Sequence, residues 1–201
     1  MNEETHQKLM TIKRSFRLLM NGPGSQSMRD KGLGYKLNWG VPFYELKKMA
    51  QEYGKDYDLN NLLTLLSRYT NAAAFVKDPE LKKAMFDRGM EVFKAIDEKA
   101  DKTSNYAVVL QRKASLMNGY YGANVNEECA KTYQEALDAM AKDANMSEQL
   151  KSSIAYEANL YIATYAQVAE NNMAKAKEHY EKAYTAKPND QLRKFIDAQF
   201  K

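Results

Sequence analysis

The side chains that most often do chemistry are few in this chain, and their spacing suits none of the common reactions. Two histidines, His6 and His179, lie 173 residues apart (179 − 6). Neither has the H-E-x-x-H spacing that sets two imidazoles on one helix face around zinc. His179, between Glu178 and Tyr180, is expected on a solvated surface, opposite Ala176 and Ala183. The single cysteine, Cys129, permits no internal disulfide and no cysteine-rich zinc site. It occupies a small-residue position of a helical pattern, where burial is expected rather than nucleophilic use. Gly22-Pro23-Gly24-Ser25 and Gly32-Leu33-Gly34-Tyr35-Lys36 have the glycine content of phosphate loops. Neither follows a strand or keeps the spacing of a P-loop or a dinucleotide turn, so both read as turns. Ser25 and Ser27, at a helix N-terminus near Arg29, are a weak candidate for anion contact. No catalytic residue, metal ligand or cofactor is expected.

Charge adds one further candidate. Residues 1–58 hold ten Lys/Arg against seven Asp/Glu (10 − 7 = +3), and residues 59–201 hold twenty against nineteen (20 − 19 = +1). Lys13, Arg14, Arg17, Arg29, Lys31 and Lys36 could form a mild basic patch that touches a phosphate backbone, with an ordinary solvated face as the alternative. The net charge of +4 does not by itself imply a nucleic acid or an anionic membrane.

The elements that must carry these residues are helices. Eleven Met and only four Pro in 201 residues favour helix, and no alternating strand run appears. Hydrophobic periodicity and helix punctuation predict about ten helices. The first runs from Glu3 to Met20, a short one follows Ser25, and Pro42 opens another to Tyr53. The rest span Leu59–Val76, Pro79–Ala100, Asn105–Tyr121, Glu127–Lys142, Glu148–Glu170, Met173–Ala186 and Asp190–Phe200. Asp78, Asn126 and Ser147 are the expected N-caps, because their side-chain oxygens can accept free amides of the first turn. The helix from Pro79 is expected to bury Leu81, Met85, Val92 and Ile96. Met1–Met20, with short apolar runs broken by Lys13, Arg14 and Arg17, reads as neither a signal peptide nor a membrane span. A cytoplasmic protein without membrane contact is the expectation.

A phrase near the C-terminus, Ala176-x3-Tyr180-x2-Ala183-x4-Pro188, puts small side chains two turns apart with an aromatic between them. Proline then ends the helix, since it lacks an amide donor. The phrase recurs as Leu116-x3-Tyr120-x8-Cys129-x3-Tyr133-x2-Ala136, a spacing of 47 residues (180 − 133), and more weakly as Gly89-x3-Phe93-x2-Ile96, a spacing of 40 (133 − 93). On these residues, 62–201 resemble tetratricopeptide (TPR) repeat proteins of the kind common in Bacteroidetes, many of which are exported. The resemblance implies an all-α fold, an α-solenoid of antiparallel helix hairpins, which binds a protein or peptide partner. An ordinary helical bundle is the alternative, and the spacings exceed the usual 34. Aligned with the repeat, Tyr161 and Tyr165 fall where TPR grooves meet ligands, core packing being the other reading. Gln111, Asn118 and Tyr121 take the corresponding groove positions in the middle repeat.

The start of the chain carries a different likeness. Phe16-Arg17-Leu18-Leu19-Met20-Asn21-Gly22, Ser25-Gln26-Ser27-Met28-Arg29 and Tyr35-Lys36-Leu37-Asn38-Trp39-Gly40-Val41 resemble the N-terminal segment of HEAT-like DNA alkylation repair proteins, over Leu9–Tyr57. That family is an α-solenoid whose active members are alkylpurine DNA glycosylases. Their catalytic carboxylate and base-pocket aromatics belong to later repeats, which nothing after Leu59 matches. The expected organisation is an alkylation-repair-like helical cap over 1–58 joined, as in a fusion, to a TPR-like domain over 59–201. The expected function is a non-enzymatic interaction scaffold. The alternative is a nucleic-acid-binding or alkylation-repair-related protein that has lost its catalytic repeats.

Overall fold

A computed structural model describes residues 59–200, apart from the side chain of Asn61. Several expectations lie outside the described residues: the helices before Leu59, the 1–58 cap, His6, Trp39, the two glycine turns, and the basic residues Lys13, Arg14, Arg17, Arg29, Lys31 and Lys36. Among the described residues the fold is all-helical, without strands. Its helices are α1 (Leu59–Phe75), α2 (Pro79–Lys99), α3 (Tyr106–Tyr121), α4 (Glu127–Lys142), α5 (Glu148–Val168), α6 (Met173–Ala186) and α7 (Asp190–Gln199). These are the seven helices expected after residue 58, with ends shifted by at most two residues. The chain divides into two compact units between Ala95 and Ile96.

Short polar residues start the helices. Asp78 Oδ1 accepts the Leu81 amide at 2.8 Å. Asn126 Oδ1 accepts from Cys129 N–H at 3.1 Å, Asn172 Oδ1 from Lys175 N–H at 3.0 Å, and Asn189 Oδ1 from Leu192 N–H at 2.8 Å. Ser147 serves α5 more loosely, at 3.4 Å. Each such cap is worth about 0.5–2 kcal/mol. Asn105 departs from the pattern. It precedes α3 in the left-handed region, at φ 55°, without a side-chain cap. Its N–H instead donates to Asp143 Oδ2 at 2.7 Å. Asp143 lies just past the end of α4 and is buried, so this bond ties the start of α3 to the end of its neighbour.

In the first unit α1 buries Leu62, Leu65, Leu66, Tyr69, Ala72 and Ala73, and α2 buries Met85 and Val92. Leu81, expected in the core, is half-buried in the first turn of α2. In the second unit α3 packs on α4, α4 on α5, α5 on α6 and α6 on α7, and α3 also meets α5. The pairs α3/α4 and α5/α6 are antiparallel. Ser152, near the start of α5, donates to the Ala186 carbonyl at the end of α6 at 2.5 Å, while Thr164 Oγ1 meets Tyr180 Oη at 3.3 Å further along. Small residues permit the close approach. Cys129, Tyr133 and Ala136 of α4 are buried, and Ala176, Tyr180 and Ala183 hold the same register positions, also buried, on α6. Ala163 and Ala166 of α5 meet Ala176 and Ala183 in one cluster, which Leu192 and Ile196 of α7 complete. A second cluster joins Ala107 and Leu110 of α3, Ala136 of α4 and Ile154 of α5.

His179 corrects the sequence reading. It is buried, and its Nδ1 pairs with Asn159 Oδ1 on α5 at 2.8 Å. Residues 176, 179, 180 and 183 follow i, i+3, i+4, i+7, so His179 shares the stripe of Ala176 and Ala183 and does not oppose it. Because the Asn159 amide nitrogen donates to the Ala155 carbonyl at 2.7 Å, the oxygen faces the imidazole, which therefore carries its proton on Nδ1. Burial, with Lys182 adding to it, holds His179 below its ordinary pKa.

Candidate ligand groove

The positions that can form an open face in the second unit follow from helix geometry. On α5, residues 153, 156, 157, 160, 161 and 164 recur at three- and four-residue steps and so share one stripe. That stripe, Ser153, Tyr156, Glu157, Leu160, Tyr161 and Thr164, forms one wall of a groove of about 430 Å³. Asn118 of α3 and the turn residues Gly122, Ala123 and Val125 form the rest. The turn is set by Gly122, at φ 60° and ψ −123°, outside the region that a side chain readily adopts. Its N–H donates to the Asn118 carbonyl at 2.8 Å. Tyr161 Oη accepts the Asn126 N–H at 2.9 Å and pins the far end of the turn to α5.

Glu157 organises the wall. Its Oε2 accepts from Gln111 Nε2 at 2.5 Å, and its Oε1 accepts from Ser115 Oγ at 2.5 Å and Tyr133 Oη at 2.7 Å. One half-buried carboxylate thus links α3, α4 and α5. The Tyr133 ring lies 5.1 Å from that of Tyr161 at 35°. Burial pushes the Tyr133 hydroxyl far above its usual range, with the Glu157 charge acting in the same direction, so it remains a donor. Burial likewise raises Tyr161.

The residues expected at a ligand surface divide. Asn118 and Tyr161 line the groove, although Tyr161 is only 7% exposed. Gln111 is buried beside the groove and positions Glu157. Tyr121 packs edge to face on Tyr120 at 5.1 Å, within electrostatic reach of Glu128 on α4. Tyr165 lies within electrostatic reach of Lys131, also on α4. Neither is part of the groove wall. Sequence reasoning missed Glu157. A signal was available, since it is the sole charged residue between Lys151 and Glu170, along an otherwise apolar or neutral helix.

Cys129 is buried as expected. Its Sγ donates to the Ala114 carbonyl at 3.4 Å, and burial pushes the thiol up to about 12. A wider hollow of about 620 Å³ lies between α4 and α6, where Asn159, Glu178, His179 and Lys182 contribute to its lining. Among the described residues no three His, Cys, Asp or Glu side chains are grouped to hold a metal ion, and no helix is long and apolar enough to cross a membrane. No family model, curated protein or solved structure matches the chain.

Proposed function

We propose that this chain is a helical-repeat scaffold, a TPR-like α-solenoid that binds a peptide or protein segment in the groove between α3 and α5. It acts as a binding protein and not as an enzyme. The observation that carries this reading is the groove itself: a preformed, partly apolar channel beside a short turn, walled by one continuous stripe of α5. The matched burial of Cys129, Tyr133 and Ala136 with Ala176, Tyr180 and Ala183 supports the repeat character. Repeats of this kind stack into concave surfaces suited to extended ligands. A cytoplasmic setting belongs to the same reading and rests on the sequence, whose single cysteine forms no internal disulfide.

Selection of displayed peptides against the full chain tests the proposal. Asn118→Arg fills the groove from α3, whereas Thr185→Arg alters the hollow on α4 and α6. Selected peptides should lose at least tenfold in affinity for Asn118→Arg and bind Thr185→Arg unchanged. Peptides that bind Asn118→Arg as well as the parent chain would refute the reading.

A further inference from the structure

We infer that the α3/α5 groove is a subsite for a basic side chain, an arginine or lysine of the bound peptide, and that Glu157 is the group that recognises its charge. The inference rests on the groove being the ligand site. Glu157 is the one ionisable carboxylate, and the one charged side chain, among the residues lining the groove. Its three partners, Gln111, Ser115 and Tyr133, are all neutral. They orient the carboxylate without cancelling its charge, and no lysine or arginine among the described residues forms an ion pair with it.

The acceptor count points the same way. A carboxylate offers about four lone-pair sites. Oε1 uses two and Oε2 uses one, which leaves one on Oε2. Gln111 fixes which way that oxygen faces its neighbour. A carboxylate only accepts, so Gln111 must turn its amide nitrogen toward Glu157. Its own Oε1 then has no partner among the described residues, although the side chain is only 8% exposed. A carboxylate that lines the groove, is held by neutral donors and keeps a vacant acceptor site receives N–H donors, and a charged donor gains most from it. The stem of the incoming residue has apolar surface to follow along Tyr156, Leu160 and Tyr161, as long basic side chains do elsewhere.

The test uses two small probes, N-acetyl-arginine methylamide and its citrulline counterpart, which keeps the shape and removes the charge. Amide chemical shifts of the full ¹⁵N-labelled chain are followed during titration at low and at high salt. The arginine probe should shift the amides of Asn118, Gly122 and Glu157 saturably, bind at least tenfold more tightly than citrulline, and weaken with salt. Glu157→Gln, which keeps the shape and can keep the Ser115 and Tyr133 bonds, should remove the preference. The arginine–citrulline contrast in the parent chain decides the matter even if that variant folds poorly. Equal shifts from both probes in the groove would overturn the charge assignment and leave the groove as a ligand site. Groove amides unmoved by either probe would overturn the charge assignment too, and the peptide selection would then judge the groove independently.

Discussion

The Gln111 amide and the Glu157 carboxylate, 46 residues apart in sequence, meet at 2.5 Å and hold α3 against α5. Because Ser115 and Tyr133 bond the same carboxylate, its loss should be costly. Glu157→Ala leaves the buried Tyr133 hydroxyl and the Gln111 amide without their acceptor, at about 1–3 kcal/mol for each group that water cannot reach. Chemical denaturation should find Glu157→Ala destabilised by at least about 1 kcal/mol, with Glu157→Gln recovering most of it. Equal losses in the two variants would mean that the hydrogen bonds are not what the carboxylate contributes.

Gly122 isolates backbone strain. A Cβ built there meets nothing within 4 Å, so Gly122→Ala introduces no clash. Its φ of 60° and ψ of −123° are nevertheless costly for any side chain. A loss of about 1–3 kcal/mol is expected in thermal or urea unfolding. Gly122→Asn should not rescue it, since asparagine tolerates the left-handed helical region and not this one.

Ala183 tests the helix contact. It is fully buried against Ala163 and Ala166, and Ala183→Leu should overpack the α5/α6 pair and cost about 1–3 kcal/mol. The exposed Lys194→Ala should change stability by less than about 0.5 kcal/mol. Similar effects at both positions would count against a close α5/α6 contact.

Cys129 links stability to alkaline pH. The folded thiol is held up to about 12 against an ordinary 9.0. Between those values the unfolded chain has released a proton that the folded chain keeps. The thiol's contribution is therefore complete below pH 9.0 and declines as pH rises toward 12, with a slope of at most about 1.4 kcal/mol per pH unit. Denaturation between pH 9 and 10 should show a gentler slope for Cys129→Ala, since the ionising tyrosines contribute alike to both chains. The folded chain should also resist thiol-specific labelling at pH 8 until it is unfolded. Prompt labelling of native protein would contradict the burial.

Much of the helical framework is legible in the residues because it depends on local physics. Asp78, Asn126 and Ser147 cap the helices that they precede, and the Tyr133 and Tyr180 phrases mark buried stripes, since a three- and four-residue period survives any tertiary arrangement. His179 belongs to the same local pattern, since an i+3 step from Ala176 puts it in that stripe. The groove is harder to read. Glu157 matters through partners 46, 42 and 24 residues away, and no local pattern announces such a meeting. Tyr121, Tyr161 and Tyr165 look alike in sequence. Only packing separates the ring that lines the groove, Tyr161, from Tyr121 and Tyr165, which do not.

The central claim is that ligands enter between α3 and α5. Photo-cross-linking tests it directly, with p-benzoylphenylalanine placed at position 118 in one chain and at 185 in another. A selected peptide should be captured by the position 118 chain and mapped by mass spectrometry to contacts with α5 near Ser153–Thr164. The position 185 chain should capture little. Capture confined to position 185, with contacts on α4 or α6, would contradict the account.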